Sequence, residues 1–360
     1  MEKIDRLQIQ NYKSLKNLNL ACSRINVFIG EPNVGKSNIL EALDLSDLSW
    51  LLLSNDLIQI SNEQKLTKEE IEKIDIKKLF RVRDASELFH LGDLSKTISV
   101  NYGHAFSGLE IAYNADEKIR LFEWKVQNGS HVTRLDKNFV QQKNSGFPSN
   151  YSSPIHPYRF KDDIQFHDVG NYLSKLQSPF GNNLFKVIQH NPEFRDFIEE
   201  IISDFPIELV VDTAESDIKF QLRIKKGLVY TLPYRALADT FRRLFFTVAA
   251  IRYSNTFVVT LEEPEAHSYP EYILRVAIEI IKSTSPQFFI TTHSPYLLNT
   301  FIEKTPKNDF SVFVCGYDKE NFQTIVKKLS EGDLSELLDY GDDLIFHVNR
   351  YLDERVIHNS

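Results

Sequence analysis

One stretch near the N-terminus combines the residue types that bind a polyphosphate. Residues 30–37 read Gly-Glu-Pro-Asn-Val-Gly-Lys-Ser and lie between an apolar run, residues 25–29, and a helical pattern that starts at Asn38. A loop with glycine at both ends can turn its backbone N–H groups inward, and the following helix directs the positive end of its dipole at the same anion. Lys36 can reach the outer phosphates, and the Ser37 hydroxyl can ligate Mg²⁺. The order strand, glycine loop, helix therefore predicts a site for a nucleoside triphosphate.

Acidic residues follow a second apolar strand pattern. Residues 258–261, Val-Val-Thr-Leu, lead into Glu262 and Glu263. Hydrolysis of a phosphoanhydride needs a metal ion on the β- and γ-oxygens and a group that orients or deprotonates water. Because an open α/β sheet binds its ligand at the carboxyl ends of its strands, we expect Glu262 to hold Mg²⁺ and Glu263 to act on the water. Glu265 either shares in the chemistry or only begins the next segment.

A histidine follows a third strand pattern. His293 comes directly after residues 288–292, Phe-Phe-Ile-Thr-Thr. From this position an imidazole can bond the γ-phosphate or the water and so distinguish the bound nucleotides; the alternative is a packing role. The sequence therefore predicts Lys36, Glu263 and His293 as the catalytic residues.

The hydrophobic periodicity predicts the elements that position these residues. Alternating residues 4–10 and 18–20 indicate antiparallel strands before the glycine loop, and the first helix extends to about residue 53. Three insertions follow: a helical piece at 54–92, an antiparallel β meander at 97–135, and a flexible loop at 141–170, which is rich in Asn, Ser and Pro.

The last part of the chain returns to alternating helices and strands. Helices are predicted at 184–203, 239–252 and 270–283 and in a tail at 342–360, and strands at 218–224, 228–232, 256–261, 288–292 and 311–315. The pattern predicts one α/β domain, residues 1–360, with a mixed sheet and an antiparallel β subdomain.

Composition excludes several classes of protein. The 360 residues are 42% hydrophobic and 26% charged, which is typical of a globular chain, and no signal peptide or membrane span is expected. We therefore expect a cytoplasmic protein with no membrane partner. The net charge of −8 offers no global attraction to nucleic acid. Local basic clusters, such as Lys77 and Lys78 with Arg81 and Arg83, are interpreted as solvated faces.

Four segments together resemble the ABC-type ATPases of the group that contains RecF, the SMC proteins and the OLD-like ATPases. They are Ile-Gln-Asn-Tyr-Lys-Ser-Leu at 9–15, the glycine loop with its flanks at 28–42, Leu-Glu-Glu-Pro-Glu-Ala-His at 261–267, and Thr-His-Ser-Pro at 292–295. The resemblance covers residues 1–45 and about 170–315. It implies a P-loop NTPase fold, an ABC-ATPase-like head with a helical insertion, and it implies ATP and Mg²⁺ as cofactors.

The resemblance also implies a set of site residues. The expected nucleotide-binding residues are Gly30, Glu31, Pro32, Asn33, Val34, Gly35, Lys36, Ser37, Asn38, Lys13, Asp239 and Thr240, and the expected metal ligands are Ser37, Glu262 and Gln177. Gln177 stands for the family's glutamine loop. Residues 237–243 correspond to its signature segment but lack the usual Ser and Gly, so Asp239 or Thr240 is expected to cap the helix and leave N–H groups free for a γ-phosphate.

In such ATPases two heads face one another with ATP between them, so we expect a head-to-tail homodimer or a higher oligomer. The chain has no long heptad arms and continues for only 45 residues beyond Cys315, so a stand-alone head without a Toprim nuclease domain is expected. Similar heads often serve anti-phage systems beside a separate effector such as a nuclease. The leading hypothesis is thus an ATP hydrolase that controls such an effector.

Two alternatives remain open. The first is a RecF-like DNA-binding repair ATPase, which leaves nucleic acid as a further partner. The second is an ATP-sensing scaffold with negligible turnover.

Overall fold

The computed structural model of the chain describes residues 3–53, 76–103, 108–114, 121–126, 132–139, 154–166, 174–254, 256–339 and 348–352. Within these ranges no helix combines the length and the apolar character that crossing a membrane requires.

A six-stranded sheet forms the centre of the fold. Its strands in spatial order are β15 (Gln323–Lys328), β14 (Phe310–Asp318), β3 (Ile25–Gly30), β13 (Gln287–Thr291), β12 (Val258–Glu262) and β8 (Ile155–Tyr158). Five strands are parallel, and β15 pairs with β14 in the antiparallel sense. β3 and β13 are buried along their whole length, as expected for parallel strands covered on both faces.

Two antiparallel sheets accompany the central one. The larger has the order β2 (Leu15–Ala21), β1 (Arg6–Tyr12), β4 (Ile98–Asn101), β5 (Leu109–Asn114), β6 (Leu121–Val126) and β7 (Val132–Leu135). The smaller has the order β11 (Leu228–Pro233), β10 (Asp217–Lys225) and β9 (Ile207–Asp212).

Eight α-helices lie in the described ranges. They are α1 (Lys36–Leu53), α2 (Ile76–Leu79), α3 (Leu184–His190), α4 (Pro192–Ile202), α5 (Asp239–Tyr253), α6 (Pro270–Lys282), α7 (Pro295–Lys304) and α8 (Glu331–Asp339). Short 3-10 segments cover Ala85–Leu88, His90–Gly92, Tyr234–Ala236 and Lys307–Asp309.

The central sheet separates two hydrophobic cores. Alternate residues of β3 point to opposite faces: Ile25, Val27 and Ile29 belong to the core under helices α3 to α7, and Phe28 belongs to the core under α1 and the larger antiparallel sheet. Phe28 stacks between Phe289 and Phe313, with ring centroids 6.4 and 5.1 Å away. The strand that leads into the glycine loop is therefore fixed from both sides.

The observed architecture confirms the predicted fold class, an α/β fold with a mixed sheet and an antiparallel β subdomain. Three expected elements lie largely outside the described residues: the helical insertion at 54–92, the loop at 141–170 and the tail at 342–360. Within the last of these, residues 348–351 form a short 3-10 turn.

Two predicted elements are wrong in their described parts. Residues Ile155–Tyr158, expected within a flexible loop, form the edge strand β8 beside β12; an edge position tolerates Pro157, since its missing N–H leaves no ladder bond unmade. The single helix expected at 184–203 is two helices, because Asn191 adopts an extended conformation before Pro192. Strands β9 and β15 were not predicted.

Arg24 joins the start of β3 to the end of α6. Its guanidinium donates to the carbonyl oxygens of Ile280 (3.2 Å), Ile281 (3.2 Å) and Ser283 (2.6 Å), and the side chain is 7% exposed. These carbonyls belong to the last turn of the helix, where unsatisfied acceptors and the negative end of the dipole favour a cation.

We expect the substitution Arg24→Met to lower the free energy of unfolding by about 2–3 kcal/mol, because buried carbonyls lose charge-assisted hydrogen bonds. Urea unfolding followed by circular dichroism measures this change. Arg275→Met is the matched control, since Arg275 forms an exposed pair with Glu200 and should change stability by less than about 1 kcal/mol. Equal effects of the two substitutions would contradict the capping role of Arg24.

Candidate functional site

The glycine loop connects β3 to α1, and two of its positions exclude a side chain. A Cβ on Gly30 would lie 2.3 Å from the carbonyl oxygen of Cys315, and one on Gly35 would lie 2.1 Å from the Thr324 hydroxyl oxygen. Gly35 also has a φ of +95°, a conformation that residues with a side chain rarely adopt. Both glycines are therefore required by the close approach of neighbouring backbone and side chains.

Hydrogen bonds from the sheets support the loop from behind. The Thr324 hydroxyl on β15 donates to the Val34 carbonyl (2.8 Å) and lies 2.6 Å from the Ser14 hydroxyl. The Asn38 side chain donates to the same Ser14 oxygen at 2.7 Å. Asn38, expected to bind nucleotide, therefore holds the turn between β1 and β2 against the start of α1.

The outer side of the loop is open. Glu31, Pro32 and Asn33 are exposed, and Asn33 adopts a φ of +62°. The Asn349 side chain donates to the carboxylate of Glu31, so the turn at residues 348–352 touches the loop.

The Lys36 ammonium lies folded across its own loop. It donates to the carbonyl oxygens of Gly30 (3.0 Å) and Glu31 (2.7 Å) and is 5% exposed. Burial lowers its pKa, while negative charge on nearby groups, Glu263 and Glu262 among them, acts in the opposite direction. The negative charges of Glu262 and Glu263, the two carboxylates predicted for the site, therefore act on the Lys36 ammonium.

Glu262 at the end of β12 lies between a hydroxyl and two guanidinium groups. It accepts a hydrogen bond from Ser37, its Oε1 is 2.7 Å from Nη2 of Arg81, and its Oε2 is 3.7 Å from Nε of Arg159. Burial alone would raise the pKa of this carboxyl, but the positive charge of Arg159, the Ser37 bond and Arg81 together lower it. The carboxylate is therefore ionised beside Ser37.

Glu263 turns away from the strand and faces His293. Its φ is +44°, its N–H donates to the Thr291 carbonyl at 3.0 Å, and its Oε1 lies 3.5 Å from Nε2 of His293. Burial and the positive charge of Lys36 lower the pKa of His293, against the opposing effect of Glu263. The structure thus brings Lys36, Glu263 and His293 together at one edge of the sheet.

Glu265 positions the segment that carries His293. Its Oε1 accepts hydrogen bonds from the Thr292 hydroxyl (2.7 Å) and from the His293 backbone N–H (2.9 Å). Its Oε2 is buried, and burial raises the pKa of this carboxyl. Glu265 therefore positions the segment that carries His293. This role differs from both that the sequence left open, a share in the chemistry or only the start of the next segment.

Arg81 was not predicted as a site residue and was interpreted as part of a solvated basic cluster. Its side chain is 54% exposed, in keeping with a solvated face, but its guanidinium also bridges Glu41 (2.9 Å) and Glu262 (2.7 Å). Lys13, expected to bind nucleotide, also contacts Glu41 (2.5 Å) and donates to the Phe80 carbonyl. The pairs could not be predicted, since no spacing pattern links residues so far apart in sequence.

Arg159, which follows β8, forms a second bridge that the sequence did not indicate. It donates to the carboxylate of Asp44, whose other oxygen accepts from the Thr260 hydroxyl at 2.6 Å, and it lies near Glu262. Asp44 lies on α1, so this bridge ties the glycine-loop helix to β12.

Gln177 lies after β8, and the structure gives it no bond to Ser37 or Glu262. Its backbone N–H donates to the Asn183 side chain at 2.8 Å, whereas its side-chain oxygen is buried and has no hydrogen-bond partner among the described residues. An unsatisfied buried carbonyl oxygen can serve a ligand.

The expectation that Asp239 or Thr240 caps α5 is wrong. The cap is Ala238, without a side-chain hydrogen bond, and Asp239 is the first helical residue. The Asp239 carboxylate instead contacts Arg243 (2.7 Å) and Arg242 (3.3 Å), while the Thr240 hydroxyl donates to the His267 carbonyl (2.8 Å). The two arginines bind the Asp239 carboxylate, which therefore does not accept a capping hydrogen bond from the backbone N–H groups of the helix.

A protein-family model and a relative of known name both match most of this chain. The model of the family described as "AAA domain, putative AbiEii toxin, Type IV TA system" matches residues 25–299. A protein of Helicobacter pylori named "ATP/GTP phosphatase" is 22% identical over 345 residues, which covers 86% of this chain and 90% of that protein.

Two solved structures of SMC heads also match along most of their length. The Smc head domain bound to the C-terminal domain of ScpA derived from Pyrococcus furiosus has a TM-score of 0.46 at 13% identity and covers 94% of this chain and 99% of that one. The SMC head domain from Thermotoga maritima has a TM-score of 0.40 at 12% identity and covers 91% and 98%.

We expect His293 in the ligand-free protein to titrate below the ordinary histidine range, which NMR of ¹³C-labelled histidines measures. Lys36→Met should raise the pKa of His293, since it removes a repelling positive charge, and Glu263→Gln should lower it further. Lys282→Met, which changes a lysine at the end of α6, is the control and should leave the titration unchanged. Shifts of the opposite sign would show that the three groups are not neighbours in solution.

Proposed function

The chain belongs to the AAA_21 family of AAA domains, and on that basis we propose that it binds ATP and hydrolyses it to ADP and phosphate with Mg²⁺. The observation that carries the proposal is the meeting of Lys36, Ser37, Glu262, Glu263 and His293 at the carboxyl ends of three adjacent strands. The name of the Helicobacter pylori relative, an ATP/GTP phosphatase, supports the same reaction.

The oxygens around Glu262 suit a nucleotide-bound Mg²⁺. The Ser37 hydroxyl and the Glu262 carboxylate are in hydrogen-bond contact, and the Gln177 side-chain oxygen is buried without a partner among the described residues. Hydroxyl, carboxylate and amide oxygens are the hard ligands that Mg²⁺ prefers. Ser37 and Glu262 would hold the ion, with Gln177 as a third candidate, and the ion would neutralise charge on the β- and γ-phosphates.

Each catalytic residue has a separate task in this proposal. Lys36 exchanges the two carbonyls of its own loop for the β- and γ-phosphate oxygens, which gain more from an ammonium than a neutral carbonyl does. Glu263, whose side chain is 45% exposed, orients the attacking water and accepts its proton. His293, kept largely neutral near pH 7, can bond the water or the γ-phosphate without adding a positive charge beside Lys36.

Glu265 supports this arrangement as a positioning residue. It binds the backbone N–H of His293 and the hydroxyl of Thr292, so it fixes the distance between the imidazole and Glu263.

We propose further that two heads complete each other's sites across bound ATP. The N-terminus of α5 supports this, because Ala238 is exposed there and the guanidinium groups of Arg242 and Arg243 lie just behind it, restrained by Asp239. A helix N-terminus with nearby arginines suits a γ-phosphate presented by a facing head.

The partner controlled by such a switch is proposed to be a separate effector protein, such as a nuclease, in defence against phage. The support is the description of the family, which names a toxin of a toxin–antitoxin system, together with the resemblance to OLD-like heads. A pull-down from the native host in ATP, with a variant that binds ATP and does not hydrolyse it, tests this part. Capture of duplex DNA in a salt-sensitive manner would instead favour the repair ATPase.

We expect Glu263→Gln to lower the turnover number by about 10²- to 10⁴-fold, the range for a lost general base, and to leave ATP binding intact. Phosphate release measures turnover, and isothermal titration calorimetry measures binding. Glu271→Gln, an exposed glutamate at the start of α6, is the matched control and should retain full turnover.

Two outcomes would overturn the catalytic assignment. Unchanged turnover in Glu263→Gln would remove this residue from the reaction. ATP binding by the unsubstituted protein without phosphate release would favour the nucleotide-sensing scaffold.

A further inference from the structure

Strand β11 is an uncharged and exposed sheet edge. Among the described residues it pairs with β10 on one side and with no strand on the other. Leu228, Val229 and Tyr230 are 44%, 48% and 56% exposed, and none of the six residues of the strand is charged. Natural proteins protect such edges with lysines, bulges or covering segments, because the free backbone groups are a template for another strand. A bulge at Arg223–Lys225 and Pro233 lie at the two ends of this edge, but residues 228–232 between them carry no charge. This central part of the edge therefore indicates a pairing partner.

We propose that β11 pairs in the antiparallel sense with β11 of a second copy of this chain. The two three-stranded sheets then form one continuous sheet with the order β9-β10-β11-β11-β10-β9 and a two-fold axis between the central strands. This contact is independent of the proposed ATPase reaction and does not require bound nucleotide.

The residues of β11 select a register for this pairing. A two-fold axis perpendicular to the sheet keeps each side chain on its own face, so one residue must lie opposite its own copy. With Tyr230 on the axis, Leu228 lies opposite Leu232, and Val229 lies opposite Thr231. Large apolar side chains then meet on the face that carries Leu228, Tyr230 and Leu232. Pro233, which has no N–H, lies beyond the last pair and leaves no ladder bond unmade.

The two ends of the small sheet carry opposite charge. One end has three carboxylates and one ammonium group, and the other has three cationic groups and one carboxylate. The residues are Asp212, Glu215, Asp217 and Lys219 at the first end, and Arg223, Lys225, Lys226 and Glu208 at the second.

This polarity favours two copies that run in opposite directions. The antiparallel arrangement places the basic hairpin tip at 225–227 of each copy at the same end of the joined sheet as the acidic turn at 212–217 of the other. A parallel arrangement would place like charges at the same end, which is unfavourable. The charge distribution therefore complements a second copy of this chain, whereas a neutral extended peptide would gain nothing from it.

Site-directed crosslinking tests the register. In the proposed pairing, the Cα atoms of residue 230 in the two copies are about 4.5–5.5 Å apart, within the range for a disulfide. We expect Tyr230→Cys to form a covalent dimer under mild oxidation in the absence of nucleotide. Thr231→Cys is the matched control, since its copies would be about 7–8 Å apart and should crosslink at least tenfold more slowly. Cys22 and Cys315 are present in both variants, so they cannot account for a difference.

Sedimentation of the intact chain tests the contact without a crosslink. We expect a dimer without nucleotide, and we expect Tyr230→Lys to convert it to a monomer because two ammonium groups would face each other at the axis. Tyr230 is exposed, so the variant should keep its unfolding midpoint and its rate of phosphate release.

Three results would overturn the proposal. They are a nucleotide-free monomer for the unsubstituted chain, equal crosslinking of the two cysteine variants, and a Tyr230→Lys variant that remains dimeric. Loss of this dimer with phosphate release retained would leave the proposed ATPase function standing. Loss of phosphate release in Glu263→Gln with the dimer retained would leave this contact standing.

Discussion

The parallel register of β3, β13 and β12 is the constraint on which the site depends. Thr291 lies opposite both Phe28 on β3 and Glu262 on β12, so the three strands end at one level. The segments that leave these ends carry the glycine loop, the acidic pair and His293, in sequence positions up to 263 residues apart. A slip of the register by one residue would turn the Phe28 ring from its stack toward the opposite core and separate the carboxylates from the loop.

Charge compensation is the second constraint, because the site concentrates ionised groups at low exposure. Glu41, Asp44 and Glu262 are each contacted by at least one of Lys13, Arg81 and Arg159, which gives three negative and three positive groups. Glu41 and Glu262 each contact two of these cations, whereas Asp44 contacts Arg159. Taking a cation away from a buried carboxylate costs more than the ion pair itself contributes. The network therefore keeps α1, α2 and β8 in fixed positions around the end of β12.

Residue types and hydrophobic periodicity predicted the elements whose structure depends on local sequence. The glycine loop, the strands before Glu262 and His293, and the α/β class follow from residue type and period, and the family match confirms the ATPase group expected from the four motifs. The features that were not predicted depend on contacts between residues far apart in sequence. The proline-containing segment Ile155–Tyr158 forms a strand because it pairs with β12 at the edge of the sheet. Asp239 does not cap α5 because its carboxylate binds Arg242 and Arg243. The bonds of Arg81 and Arg159 to Glu262 join residues that no periodicity relates.

The balance of charge around Glu262 has a consequence for the order in which ligands enter. A bare divalent cation would have to displace two guanidinium groups from this carboxylate and would place further positive charge beside them, although Glu41 and Asp44 would still hold Arg81 and Arg159. A cation that arrives already chelated by a triphosphate carries its own negative groups, to which those guanidiniums can turn. Titration with the metal salt alone should therefore give almost no binding signal, whereas the chelate of the metal and the triphosphate should bind.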